Sequence, residues 1–401
     1  MNIAQTDLRI KKLKELEQKF AQGLGNHLYI WGAAETAERV RLFIEGNSRV
    51  RVRAYVVDDE FYDEAVSGLE QAQDAYDETV SGLKQAQDAF GARTCSTKQV
   101  WKASDWLGTV KEGDAVWIGF VDFERGRQLA ASLPEGVEGI FFSYPISGII
   151  QGKILTYEYY NEHRKDFEWV YGRMADEKSR RTLEGFINAC ISGSAQDIER
   201  EHTPEHYFND ITRDYPVRCM VDCGAYTGDT VEAAAGFYAD LDTVIAFEPD
   251  RQNMGRLKQM AGRTDLPVKN WSFIEKGSWS KKTELCFKAD GQTSCVSRDG
   301  EVRIPADTID HVLAGMAPVK VDFIKMDVEG SEQESLSGAC ETIRKDHPVL
   351  AVSVYHKIED LYEIPRMIED IGGGLEGGYA YYLRYHGANL YDVVLYAVPK
   401  K

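Results

Sequence analysis

A chain of 401 residues is longer than one hydrophobic core usually fills, so two domains are expected. Its 43% hydrophobic and 28% charged residues are those of a soluble globular protein. A formal net charge of -18 argues against a nucleic-acid binder, which carries a basic face, and no run of about 18 apolar residues offers a membrane span.

The first 24 residues are too charged for a signal peptide. They read as an amphipathic helix, with Leu8, Ile10, Leu13, Leu16 and Phe20 near helical spacing. Residues 25–150 then alternate between strand and helix signals. Apolar runs at 28–34, 50–57, 115–121 and 139–144 flank a helical stretch at 35–45, which predicts a small Rossmann-like α/β domain with a parallel sheet. Gly32 opens a degenerate dinucleotide fingerprint in which Ala34 and Ala37 replace the later glycines. The missing second glycine favours a scaffold or substrate-presenting role over a nucleotide or nucleotide-sugar site, although Asp58 stands where a ribose-binding acid would.

An insertion at 62–89 repeats itself: YDEAVSGLEQAQDA is followed directly by YDETVSGLKQAQDA. Each copy is two heptads long, so a protruding helix that pairs with a partner or a second copy of the chain is one reading. A tandem duplication in a tolerant surface loop is the plainer one, because Gly68 and Gly82 each weaken a helix by about 1 kcal/mol. Residues 151–215 read as a charged helical connector without evident chemistry.

From 216 to 401 a second α/β array is expected. Strands are predicted at 217–223, 242–247, 268–275, 283–288, 321–326, 348–354, 379–385 and 391–397, with helices at 229–239, 250–262, 332–344 and 357–371. The last two strands have no helix between them, which predicts an antiparallel hairpin ending an otherwise parallel, doubly wound sheet. Seven scattered cysteines give no disulfide framework. Cys219 and Cys223 on one extended segment would be roughly 13 Å apart, beyond disulfide reach. A reducing, cytoplasmic setting follows.

Three segments carry chemistry. In Val221-Asp222-Cys223-Gly224-Ala225-Tyr226-Thr227-Gly228-Asp229, Gly224 and Gly228 allow a sharp turn and close approach of a ligand to a helix start. The pattern is G-x-x-x-G after an acid, not G-x-G-x-x-G, and Asp222 suits a cationic ammonium better than a pyrophosphate. Glu248 ends the next strand about 20 residues on, placed to accept the hydroxyls of a ribose; Pro249 stops that strand and Asp250 caps the next helix. In Lys325-Met326-Asp327-Val328-Glu329-Gly330 three charged residues alternate along a strand end. Buried acids there need Lys325 or a ligand to compensate them, or else form an internal salt-bridge cluster.

These segments resemble the FkbM-type methyltransferases, in a two-domain branch. The resemblance spans most of 205–398 and includes VDCGAYTGDT, AFEPD, the Gly277-Ser278-Trp279-Ser280 turn, IPADTID, IKMDVEGSE, VYHKIEDLYEIP and YYLRYH. It implies a Rossmann-like class I methyltransferase sheet in which the Gly224 loop and Glu248 hold S-adenosyl-L-methionine, with Glu275 to Ser278 close to the adenine. It also implies methylation of a hydroxyl on a saccharide or secondary metabolite. Tyr226 stands where many members carry a smaller polar residue.

The expected cofactor ligands are therefore Asp222, Gly224, Tyr226, Gly228, Glu248, Pro249, Glu275, Gly277, Ser278, Asp327 and Glu329. Transfer to a hydroxyl requires an aligned oxygen and loss of its proton. His356, just past a strand end, is the preferred general base because imidazole titrates near neutrality, with Asp327 and His386 as rivals. The Asp, Glu and His residues could also hold a divalent metal, but no tight ligand spacing demands one, and none is assigned. The partners expected are a small-molecule or glycan acceptor and, through the repeat or the N-terminal helix, a second copy of the chain. An NAD-dependent oxidoreductase would need an intact glycine fingerprint, which neither half supplies. The competing reading is a non-catalytic assembly protein that binds S-adenosylmethionine or a nucleotide sugar.

Overall fold

The computed structural model describes residues 1–22, 26–32, 35–63, 65, 99–119, 122–143, 153–263, 266–288, 295–296, 302–373, 378–387 and 390–400. The repeat from residue 66 onward, and Ala33 and Ala34 of the degenerate fingerprint, lie outside them. Two compact units result: Thr6–Ser143 with Ser192–Ser194, and Met1–Gln5 with Tyr144–Ile191 and Ala195–Lys401. No described helix is long and apolar enough to cross a membrane.

The smaller unit contains α1 (Leu8–Gln22), β1 (Leu28–Trp31), α2 (Glu35–Asn47), β2 (Val52–Val57), β3 (Gln99–Lys102), α3 (Ala103–Leu107), β4 (Ala115–Ile118), α4 (Phe123–Ser132) and β5 (Glu138–Ile140). Its five strands are all parallel, in the order β3-β2-β1-β4-β5. Strands covered on both faces read as unbroken apolar runs, which is why LYIW and AVWI were visible in the sequence. The four residues of β3 follow the repeat and start and end on polar side chains, so their strand signal was lost. Leu13 and Leu16 bury the inner face of α1, while Lys12 and Lys19 reach Glu138 at 3.0 and 3.1 Å. Asp58 is ion-paired with Arg125.

The larger unit begins with four helical segments, α5 (Tyr157–Glu162), α6 (Arg164–Arg173), α7 (Glu177–Ser192) and the single turn α8 (Gln196–Glu199). The array that follows is β6 (Cys219–Cys223), α9 (Asp229–Phe237), β7 (Thr243–Phe247), α10 (Arg251–Ala261), β8 (Asn270–Ile274), β9 (Gly277–Ser278), β10 (Thr283–Lys288), β11 (Cys295–Val296) and β12 (Val302–Asp307). It continues through α11 (Ile309–Ala314), β13 (Phe323–Met326), α12 (Glu332–Ser337), α13 (Cys340–Asp346), β14 (Val349–Ser353), α14 (Asp360–Ile371), β15 (Tyr379–Tyr385) and β16 (Val393–Pro399). Seven strands form one sheet in the order β15-β16-β14-β13-β6-β7-β8. The five from β8 to β14 are parallel, and β16 and β15 run antiparallel at one end, as the hairpin signal predicted.

From β6 the chain winds out through β7 and β8, then returns to lay β13 and β14 on the other side. The winding therefore reverses between β6 and β13, and a crevice opens at their carboxyl ends where ligands bind in open α/β sheets. The sequence reading placed residues 283–288 in this array. They belong instead to a separate four-stranded sheet, β11-β10-β12-β9. Its strand β12 was missed because Pro305 interrupts the run, yet Pro305 pairs opposite Glu284 in an antiparallel ladder.

The hairpin's outer strand is not open. Ala175 and Thr203 donate backbone N–H groups to Tyr381 and Tyr385 at 2.8 Å, and Ser179 Oγ accepts from the Leu383 amide at 3.0 Å. Arg384 adds a charged bond to Asp176.

Candidate functional site

The β6–α9 turn supplies the first wall. Gly224 (φ +77°) and Gly228 (φ +95°) both occupy the left-handed region, and Tyr226 joins them at φ +47° despite its side chain. Gly224 packs so tightly that a Cβ there would lie 1.9 Å from the Asp327 carbonyl oxygen. The loop backbone is tied to β7, with Gly224 and Ala225 both donating to the Phe247 carbonyl at 3.0 Å. Tyr226 projects outward, half exposed.

Glu248 ends β7 beside this loop. Its Oε2 accepts from the Tyr226 amide and its Oε1 from the Asp250 amide, each at 2.9 Å. Burial raises its carboxyl above the usual range in spite of those bonds. Each oxygen keeps a second lone pair, so the residue joins the loop to the strand end and can still accept from a ligand. Pro249 follows half-buried, and Asp250 caps α10 by accepting from the Asn253 amide, as predicted.

Asp222 departs from expectation. It is fully buried, and its Oδ1 faces Lys325 Nζ at 3.2 Å, because Asp222 on β6 and Lys325 on β13 are register partners. Burial pushes the Asp222 carboxyl up to about 6, with Lys325 opposing. Lys325 also donates to the Gly224 carbonyl at 2.7 Å. The lysine thus compensates Asp222 as well as the strand-end Asp327, and it ties Asp222 to the glycine loop.

Asp327, Glu329, Glu332 and His356 come together at the end of β13 and just beyond β14. His356 is wholly buried; its Nδ1 lies 2.9 Å from Glu332 Oε1, and its Nε2 lies 3.4 Å from Glu329 Oε2 and 3.7 Å from Asp327 Oδ1. Burial alone would lower the imidazole, but Glu332, Glu329 and Asp327 outweigh it and hold the ring well above its ordinary value. In this environment the ring is enclosed by carboxylates that favour its charged form, whereas the sequence suggested a free imidazole acting as general base. Asp327 remains partly exposed at 23%. Against burial, Lys325 and His356 hold its carboxyl below the usual range, so it is ionised.

His386, the other rival, has both ring nitrogens engaged. Its Nδ1 donates to the Thr203 carbonyl at 2.8 Å and its Nε2 accepts from the Tyr396 hydroxyl at 2.7 Å. Burial lowers it to about 3, so it stays neutral. Its role is relayed: the Tyr396 oxygen accepts from the Tyr207 amide, and the Tyr207 hydroxyl donates to Asp327 Oδ2 at 2.9 Å.

Three contributors were missed in the sequence. Tyr207 lies in the stretch read as a connector and has φ +59°. Glu332 was legible in principle, as a further acid inside IKMDVEGSE. Asp392 (φ +54°) is raised to about 6 by burial and then by Asp327, which places it in the same field. Among the described residues five non-glycines have positive φ, and four of them (Tyr207, Tyr226, Glu329 and Asp392) border this region. Strain of that kind gathers at functional sites.

The expected adenine neighbours divide. Glu275 is exposed and ion-paired with Lys258, and it lines a groove of about 520 Å³ together with Phe273, Lys276, Asp307 and His311. Ser278 is buried, with its Oγ 2.6 Å from Ser335 Oγ. Gly277 pairs with Ala306 across the small sheet.

Comparison with known proteins agrees with this geometry. The family model described as the methyltransferase FkbM domain matches residues 222–380. A solved methyltransferase FkbM from Methylobacillus flagellatus is 19% identical, covers 97% of each chain and has a TM-score of 0.67. An O-methyltransferase from Bacillus cereus in complex with SAH covers 58% of this chain and 96% of its own, at 12% identity and a TM-score of 0.32, too distant to carry an argument. A search of curated proteins returns no match. With the reversal point, the glycine turn and the strand-end acids all inside the matched span, residues 222–380 are a methyltransferase FkbM domain.

Proposed function

We propose that the chain is an S-adenosylmethionine-dependent O-methyltransferase acting on a hydroxyl of a saccharide or related secondary metabolite. The observation that carries this reading is the crevice between β6 and β13, where a left-handed glycine turn, a buried acid at the end of β7 and an ionised acid at the end of β13 converge. The residues fit the cofactor. The Gly224–Gly228 backbone leaves room for the amino-acid end, and the spare lone pairs of Glu248 suit ribose hydroxyls. When bound, the cofactor supplies a methyl on a sulfonium, an electrophile reactive enough that positioning carries much of the catalysis. Asp327, the other catalytic candidate, serves as the anion facing the acceptor, and Tyr207 fixes its orientation. A cytoplasmic setting agrees with Cys219, Cys223, Cys286 and Cys340 forming no disulfide among the described residues.

Calorimetry with S-adenosylmethionine tests the reading. Glu248→Ala is expected to weaken binding by about 10- to 100-fold, the worth of charged hydrogen bonds of about 1.5–3 kcal/mol, while circular dichroism shows an intact fold. No binding by the unaltered chain would sink the reading. Binding without methyl transfer to any hydroxylated acceptor pool would favour a non-catalytic assembly role.

A further inference from the structure

The acids beside His356 outnumber what methyl transfer alone requires. Three carboxylates touch one imidazole, so the cluster keeps an excess of negative charge even with the ring protonated. Among the described residues no hydrogen bond of good geometry satisfies Asp327 Oδ1, Glu329 Oε2 or His356 Nε2, although His356 is fully buried. Buried polar atoms are normally satisfied, and a group of them aimed at one point calls for an occupant.

We propose that His356 Nε2, Asp327 Oδ1 and Glu329 Oε2 bind a divalent cation, with Glu332 holding the far side of the ring. Asp327 and His356 belong to a group, completed by Glu332, whose ligand atoms lie within 4.8 Å of one another, and Glu329 joins it through its 3.4 Å approach to Nε2. Ligand atoms about 2.1 Å from an ion and about 110–120° apart are about 3.4–3.6 Å from each other. The observed 3.4 and 3.7 Å need only slight adjustment. The remaining atoms support the same division. Asp327 Oδ2 is occupied by the Tyr207 hydroxyl, which leaves Oδ1 for the ion. Glu332 Oε1 is anchored by the Val328 amide at 3.0 Å and lies 2.9 Å from Nδ1, the usual placing of a carboxylate that orients a metal-bound imidazole. The ion takes the place of the Nε2 proton, which is released to solvent, and Nδ1 keeps its own toward Glu332.

The use of the ion rests on the methyl-transfer reading; its binding does not. At the end of β13 it would lie beside the acceptor, where coordination of a hydroxyl lowers the pKa of that group and fixes the oxygen.

The test uses the full chain, freed of metal with a chelator and titrated with Mn2+ while electron paramagnetic resonance follows the unbound ion. One saturable site is expected, and Glu329→Gln and His356→Gln should each weaken it at least about tenfold, with circular dichroism unchanged. Glu329→Gln is the safer variant, since that side chain is 34% exposed. Calorimetry with S-adenosylmethionine runs in parallel. Cofactor binding without Mn2+ uptake overturns the ion site alone, and uptake indifferent to both substitutions overturns it too. Mn2+ uptake that depends on these residues, in a chain that does not bind S-adenosylmethionine, upholds the site and removes the methyl-donor reading.

Discussion

Gly224→Ala is expected to cost the domain about 2–5 kcal/mol and to abolish cofactor binding. Two penalties add. The left-handed backbone at φ +77° costs a side-chain-bearing residue about 1–2 kcal/mol, and forcing an atom into filled space costs about 1–3 kcal/mol more. The obstacle is the Asp327 carbonyl oxygen, 1.9 Å from the new carbon, and backbone cannot rotate aside as a side chain can. Nor can the loop retreat, since its amides are bonded to Phe247 and its carbonyl to Lys325. Gly236→Ala, in α9 with open space around it, provides the contrast and should stabilise by about 0.5–1 kcal/mol. Urea denaturation of the two variants checks both signs. Equal midpoints would show that the Gly224 turn is not the rigid contact described.

Lys325→Met should be as damaging for a different reason. It strips Asp222, a fully buried carboxylate, of its lysine partner, and leaving such a charge alone costs about 3–5 kcal/mol. The double variant Asp222→Asn with Lys325→Met removes the charge as well as its partner. It should recover much of the loss, giving a coupling of about 1–3 kcal/mol in a double-mutant cycle read by denaturation. Additive effects would mean that the two side chains do not depend on each other.

That pair also marks where sequence reasoning stops. The strands were legible because buried parallel strands are continuous apolar runs, and Glu248 was legible because its distance from the glycine turn follows from one βαβ unit. Register between β6 and β13 is not local. More than a hundred positions separate Asp222 from Lys325, and nothing near either residue says that they face each other. Lys325 was therefore considered only as one possible partner of the acids beside it in the chain, and its pairing with Asp222 went unseen. His356 was found for its chemistry, but its burial and the approach of Glu332 are properties of packing that no local pattern carries. Tyr207 had no periodic signal at all; its place is set by His386 and Tyr396 from the hairpin.

The bonds along the outside of β15 have a practical consequence. An edge strand offers a row of unpaired donors and acceptors on which another chain can add, the usual start of sheet-to-sheet aggregation. Here Ala175, Ser179 and Thr203 occupy that row. A fragment cut at residue 216 would contain the whole seven-stranded sheet and still lay its edge bare. The helices ahead of the sheet thus serve as its selvedge, and the smallest well-behaved piece of the large unit has to begin before them.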